Sequence, residues 1–324
     1  MITREEFQRV LQKAAGLKAV VIGDVMLDRY IYGTVDRISP EAPVPILLHT
    51  HDEVKAGGAA NVAFNLAAWG CQTALIGLVG KDAHAKGLKS LLTENNIHQC
   101  LIESASRPTS VKTRVVASSH HLLRIDEEST QYLEGTEEQE MIDQAEKFLE
   151  SFQPHLIILE DYNKGLLTES FIRAVKTFAK KHNCFLAVDP KEKNFFAYAG
   201  ADLFKPNLRE ASQAARKSMQ PAELQETTTA WRSQHDFHSV AITMGAQGIY
   251  IQNGDQGLQI KPERAIDVID VCGAGDAVVC ALALGLMTGL SLEKIGALAN
   301  LTGAYVCSHS GVVPVNVEEI YQWI

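Results

Sequence analysis

The sequence predicts an α/β fold: one mostly parallel central sheet with helices on both faces, carrying a small β-sheet lid. Three observations predict it. From Glu137 onward, apolar strand-like runs alternate with helix-length segments, the order that a parallel sheet covered on both faces requires. Successive strand ends carry polar clusters, Asp161 with Lys164, Asp189 with Lys191 and Lys205 with Asn207, which a single cleft along one sheet edge would collect. Between Tyr30 and Val54, two alternating segments flank S-P-E-A-P-V-P, whose prolines exclude a helix and favour an extended path.

The totals fit one large α/β domain or two smaller ones. The chain has 324 residues and a hydrophobic fraction of 46%, well clear of disordered composition. A net charge of −9 argues against a nucleic-acid-binding surface while leaving room for local basic pockets. Cys71, Cys100, Cys184, Cys272, Cys280 and Cys307 form no C-x-x-C pair, so reduced thiols in a cytoplasmic protein are expected. The start, M-I-T-R-E-E-F-Q-R-V-L, reads as a short amphipathic helix rather than a targeting leader. The apolar run 277–290 is too short for a membrane span, and no membrane partner is expected.

Residues 18–27 read as a buried first strand, with Asp24 and Asp28 near its end, where an α/β sheet places ligand contacts. Residues 31–38 and 44–54 read as an inserted sheet that covers a ligand or another subunit. His49 and His51 share one face of its second strand; with no third ligand in view they read as surface histidines. Gly57 and Gly58 then open a helix whose first turn holds Ala59, Ala60 and Asn61, equipment that suits hydroxyl groups. Residues 72–80 are a buried strand, followed by a helix to about Asn95. Residues 100–128 alternate as strands again and place Arg114 and Arg124 within them. The expected organisation is one domain of 1–30, 55–99 and 129–324, with 31–54 and 100–128 contributing the lid. Residues 240–248 form a strand entering a glycine turn, and a hairpin follows.

The stretch 270–289, D-V-C-G-A-G-D-A-V-V-C-A-L-A-L-G-L-M-T-G, is the strongest chemical signal. Gly273, Ala274 and Gly275 let a ligand approach the backbone, and their N–H groups open an apolar helix. A helix N-terminus suits a phosphate or a developing oxyanion. Asp276 in the first turn is ordinary helix electrostatics on one reading. On the other it accepts the proton of an attacking hydroxyl.

Through these motifs and those that follow, the chain resembles the ribokinase-like (PfkB) sugar kinases over essentially its whole length. Gly57, Gly58, Asn61 and Ala63 match the family's first signature, and residues 270–276 its second. Asn207, Leu208, Arg209 and Glu210 match N-x-x-E, and Thr243, Gly245 and Gly248 match T-x-G-x-x-G. Within the family, G-D-V-M-L-D-R-Y, R-I-S-P-E-A-P-V-P and D-Y-x-K-G are similar to D-glycero-β-D-manno-heptose-7-phosphate kinases. Those enzymes make the heptose 1,7-bisphosphate used for lipopolysaccharide or related surface glycans. Some carry a fused nucleotidyltransferase domain, which 324 residues would not hold.

The resemblance implies ATP and Mg²⁺ as cofactors, Asp276 as the base and Gly273, Ala274 and Gly275 as the anion hole. It implies Glu210, with Asn207, at the Mg²⁺ through water, and Thr243, Gly245 and Gly248 along the nucleotide phosphates. Asp24, Asp28, Gly57, Gly58 and Asn61 would read the sugar. Among Arg37, Arg114, Arg124, Lys164 and Lys191, the cations expected at the substrate phosphate are Arg114 and Lys164, with Lys191 a further contact. Asp270, the Cys272 carbonyl and the loop of Ser308 mark a site for a monovalent cation such as K⁺. Cys272 stands where Thr is common, and Ala277 where Thr or Ser is frequent. Exposed Ile46, Leu47 and Leu48 on an edge sheet imply a homodimer through the lid.

Three rivals stand beside this reading. They are a kinase of the same fold for another sugar phosphate or a nucleoside, a dinucleotide-dependent oxidoreductase, and a non-catalytic nucleotide sensor. Against the second, no G-x-G-x-x-G follows the first strand. Against the third stand Asp276 and the small residues beside it.

Overall fold

The computed structural model describes residues 1–117 and 120–324; Ser118 and Ser119, inside the expected lid segment, lie outside the described residues. Helix α1 (Arg4–Ala15) starts at a capping box between Thr3 and Glu6 and buries Phe7, Val10 and Ala14. It leads into strand β1 (Lys18–Gly23), whose Ala19, Val20, Val21 and Ile22 are wholly buried. A strand buried on both faces reads as a continuous apolar run, and here parallel neighbours flank it on both sides.

The chain leaves this sheet at Asp24. Strands β2 (Val25–Ile38) and β3 (Pro45–Gly58) pair antiparallel along their whole length and belong to a second sheet. The expected strand over 18–27 is therefore two strands in two sheets, and the small sheet spans 25–58 rather than 31–54. Only Gly23 and Asp24 interrupt the apolar run at the junction, and two residues do not set a period that would mark a change of sheet.

Helix α2 (Ala59–Ala68), strand β4 (Gln72–Gly80) and helix α3 (Ala83–Glu94) return to the large sheet. Strand β5 (His98–Ser104) pairs in parallel with β4 at its edge. Residues 100–104, expected in the lid, thus lie in the large sheet; the mixed polarity of an edge strand imitates a lid strand. Strands β6 (Ser110–Ala117) and β7 (His120–Glu127) complete the small sheet in the order β3-β2-β6-β7.

The second half is regular. Helix α4 (Gly135–Phe152), strand β8 (Leu156–Glu160), helix α5 (Glu169–His182), strand β9 (Phe185–Asp189) and strand β10 (Leu203–Phe204) alternate across the sheet. Helices α6 (Leu208–Ala214) and α7 (Leu224–His235), strand β11 (Ser239–Thr243) and the hairpin of β12 (Ile249–Asn253) and β13 (Gln256–Ile260) follow. The large sheet has the order β13-β12-β11-β10-β9-β8-β1-β4-β5, parallel except where β12 pairs.

Helix α8 (Ala274–Met287) is buried almost all round from Asp276 to Gly285, as a helix without a polar face must be. It packs beside α2 and α9 (Leu292–Cys307), and the short α10 (Val317–Trp323) closes the chain. One core joins Ala19 and Val21 to α1, α2, α8 and α9; the other joins Val20 and Ile22 to α4, α5 and α7. Among the described residues no helix is long and apolar enough to cross a membrane.

Candidate active site

The parallel register sets Gly23, Glu160 and Asp189 level at the ends of β1, β8 and β9. The first turns of α2 and α8 face the same edge. This is where an open α/β sheet places its ligands.

Asp276 is the hub. Its carboxylate accepts from Asn61 Nδ2 at 2.7 Å and from the Tyr162 hydroxyl at 2.9 Å. Burial pushes the carboxyl up to about 6; those two hydrogen bonds oppose the rise, and Asp189 adds to it. A carboxylate with a pKa near neutrality suits a general base. Burial likewise holds the Tyr162 phenol well above its ordinary value, so it remains a donor.

Gly273 is the N-cap of α8 with φ 78°, and a Cβ there would sit 2.7 Å from Asn61 Nδ2. Only glycine meets both demands. Beyond it, the N–H groups of Gly275 and Asp276 have no hydrogen-bond partner among the described residues, while the Ala274 N–H turns back to the Val271 carbonyl at 3.3 Å. Two free donors at a helix N-terminus suit an anion.

Beside it stands a buried charge cluster. Lys205 Nζ meets Asp189 at 2.7 Å, and Lys191 pairs with Glu210. Burial works against both ammonium groups, but Asp189, joined by Glu210 at Lys191, outweighs it and holds both above the usual lysine range. Both oxygens of Glu160 and Oδ1 of Asp189 are buried without a hydrogen-bond partner. Burial, then the charges of Asp189 and Asp276, holds the Glu160 carboxyl well above the carboxylate range.

A cleft of about 710 Å³ is lined by Thr243, Gly245, Gly248, Ala274, Gly275, Asn300 and Ala304. Asn207 and Glu210 form a capping box at the start of α6, with N–H to side-chain distances of 2.8 and 2.9 Å. An isolated bridge between Asn207 and Thr243 brings the N-x-x-E turn beside T-x-G-x-x-G. Leu208 packs on the second core, and Arg209 is exposed.

Asp270 ties its own turn to the loop after α9. It accepts from the Cys272 N–H and the Gly311 N–H, each at 3.0 Å, whereas the Ser308 hydroxyl turns back to the Tyr305 carbonyl at 2.8 Å.

On the acceptor side, Asp24 is buried and accepts from the backbone N–H groups of Tyr162 and Lys164 at 2.8 and 2.9 Å. It therefore holds the loop that carries Tyr162. Burial, then Asp161, pushes its carboxyl up to about 6. Asp28 pairs with buried Arg114, and a Cβ on Gly57 would collide with the Asp28 carboxylate. Lys164 pairs with Glu128 at 2.5 Å. Both cations expected at the substrate phosphate thus carry a carboxylate of their own. Elsewhere, His49 bonds to Asp52 at 2.7 Å and His51 stacks on Tyr32.

Residues 17–319 match the pfkB family of carbohydrate kinases. The chain belongs to that family. Among curated relatives of this pfkB-family chain, Bifunctional protein HldE of Hyphomonas neptunium is 38% identical over 315 residues, spanning 96% of this chain and 64% of the relative. Bifunctional protein HldE of Azorhizobium caulinodans is 39% identical over 303 residues, spanning 93% and 63%. The chain therefore covers slightly less than two thirds of the relatives it matches.

Among solved structures, Escherichia coli phosphofructokinase-2 in complex with potassium superposes with a TM-score of 0.77 at 19% identity, over 95% of this chain and 99% of that one. Arabidopsis thaliana ribokinase complexed with ribose and ATP gives 0.71 at 18% identity, over 94% and 99%. The fold is ribokinase-like.

The fold brings Asp276, Asn61, Gly273, Ala274 and Gly275 together, and lines one cleft with Thr243, Gly245 and Gly248. Sequence reasoning did not single out Tyr162, Glu160, Asp189 or Lys205 as site residues. Their signals were the repeated polar strand ends and, for Tyr162, its place in D-Y-x-K-G; no spacing told which side chain turns inward.

Proposed function

We propose that the chain transfers the γ-phosphoryl group of ATP to the anomeric hydroxyl of D-glycero-D-manno-heptose 7-phosphate, giving the 1,7-bisphosphate for lipopolysaccharide or related surface-glycan precursors. The observation that carries this reading is Asp276, clamped by Asn61 and Tyr162 in the same helix turn as the free backbone N–H groups of Gly275 and of Asp276 itself, beside a large cleft lined by Ala274 and Gly275. The substrate assignment draws on G-D-V-M-L-D-R-Y and D-Y-x-K-G, and on HldE relatives near 38% identity.

In this reading ATP lies along Thr243, Gly245 and Gly248, with its terminal phosphate at the N-terminus of α8. Asp276 takes the proton of the C1 hydroxyl, that oxygen bonds to the γ-phosphorus, and the bond to the bridging oxygen breaks to release ADP. The N–H groups of Gly275 and Asp276 receive charge on the transferred group, the main task in phosphoryl transfer. The unpaired oxygens of Glu160 and Asp189, with Glu210 nearby, fit a divalent cation. Among the described residues no three His, Cys, Asp or Glu side chains converge on one ion, so water and nucleotide oxygens would complete its shell. Bound there, Mg²⁺ would offset charge on the phosphates. Asp270 and the 308–311 loop are the proposed place for K⁺. The small sheet excludes water from the acceptor and pairs two chains as a homodimer in the cytoplasm.

The test is ADP formation with Mg²⁺ and K⁺ against a panel of sugars, sugar phosphates and nucleosides. The account expects D-glycero-D-manno-heptose 7-phosphate to give the highest kcat/KM. Turnover led by another sugar phosphate or a nucleoside would discard the substrate, and no turnover with any acceptor would discard the reaction.

A further inference from the structure

Around the base, one lysine ammonium has no acceptor among the described residues. Arg114 is matched to Asp28, Lys164 to Glu128, Lys191 to Glu210, and Lys205 to Asp189. Arg124, on the outer strand, is matched to Asp126 at 2.9 Å. The Lys112 ammonium has no hydrogen bond or ion pair among the described residues, although the residue is half-buried. It lies on β6 two residues before Arg114, and so on the same face of the small sheet.

Its surroundings say what is missing. The Lys112 ammonium rests 5.5 Å from the centre of the Tyr162 ring, and the hydroxyl of that ring donates to Asp276 at 2.9 Å. One rigid side chain therefore separates the unpaired cation from the base. Burial pushes the Lys112 ammonium pKa down; Asp28 opposes this, while Lys164 adds to it. A partly desolvated cation with no direct partner is a cost to the free protein that an anionic ligand would remove.

We propose that Lys112 binds the anionic group of the acceptor and is the residue by which the site selects a phosphorylated sugar over a neutral one. This rests on the sugar-phosphate reading above. An acceptor lying along Tyr162 presents its reacting hydroxyl to Asp276 and its phosphate to Lys112. Arg114, paired with Asp28 through one nitrogen, shapes the pocket through its contact with Tyr30, whose ring centre is 5.3 Å away. Arg114 and Lys164 were expected at the phosphate because a lid strand and a strand-end loop could converge; Lys112, which lies on the same lid strand, differs from both in having no carboxylate partner of its own.

The experiment compares wild type, Lys112→Met and Lys112→Arg with D-glycero-D-manno-heptose 7-phosphate and with the same heptose unphosphorylated. Lys112→Met is expected to raise KM for the phosphorylated sugar about 10- to 100-fold, the scale of one charge-assisted contact. KM for ATP and turnover of the neutral sugar should stay within about twofold, and Lys112→Arg should restore most of the preference. A merely structural role would move all of these together with the unfolding temperature. A wild type that prefers phosphorylated acceptors, with Lys112→Met unchanged or equally impaired on both sugars, overturns this inference alone. A wild type that prefers neutral sugars overturns it together with the reading beneath it.

Discussion

Asp276 meets opposite demands from folding and chemistry. Its pKa of about 6 stands above the 3.8 of a free aspartate, so between those values the folded chain holds a proton that the unfolded chain has lost. Stability from this group is full below about 3.8 and falls as pH rises through about 6. Asp276→Asn is therefore expected to unfold at a higher temperature than wild type above pH 6, with the difference vanishing near pH 4. It should also lose roughly 10²- to 10⁴-fold in kcat. Calorimetry across that range checks the first claim, and a lower unfolding temperature at pH 8 would contradict it. Tyr162→Phe removes one donor and leaves Asn61, with Asp189, Glu160 and Lys205 as the charges near the carboxylate. The acid limb of kcat/KM should then move up by about one pH unit. An unmoved limb would mean that Tyr162 does not set the base. Asp276 was legible because a carboxylate in the first turn after small residues has a chemical meaning. Tyr162 was not: one tyrosine beyond a strand end has no period, and only the fold aims it at α8.

Elements were legible where their burial is simple. Strand β1, buried on both faces, and α8, apolar all round, are written directly in hydrophobic runs. Glycine punctuation gave both helix starts, because Gly58 and Gly273 have φ of 56° and 78°, conformations that other residues seldom adopt. The junction at Asp24 and the placement of β5 were not legible. Which sheet a strand joins is decided by partners distant in sequence, not by the strand's own pattern. The turn before α8 carries a prediction at this scale. Gly273→Ala forces a Cβ into a positive-φ position against Asn61 and should cost roughly 1–3 kcal/mol. Since Asn61 must move, activity should fall further than stability alone accounts for. Full activity at a temperature where the variant is folded would show that the Asn61 clamp is dispensable.

At the scale of the molecule, the small sheet has two unlike faces. One carries Asp28, Tyr30, Lys112 and Arg114 over the base. On the other, Val54, Leu123 and Ile125 are exposed, by 44%, 56% and 46%. Leu48 is 66% exposed, whereas Ile46 and Leu47, expected to be bare, are half-buried. An apolar outer face on a four-stranded sheet is an association surface. A homodimer through it is expected, and Leu123→Glu with Ile125→Glu should shift the sedimentation coefficient to that of a monomer. A wild type already monomeric at micromolar concentration would contradict this.

The central claim is that Asp276 deprotonates a sugar-phosphate hydroxyl for attack on ATP. The most direct measurement is phosphorus NMR of a reaction containing ATP, Mg²⁺ and D-glycero-D-manno-heptose 7-phosphate, with wild type and Asp276→Asn run in parallel. The account predicts a second phosphorus signal on the heptose, at C1, that grows with ADP under wild type and grows at least about 100-fold more slowly under Asp276→Asn. The same signal growing at the wild-type rate with Asp276→Asn would contradict it.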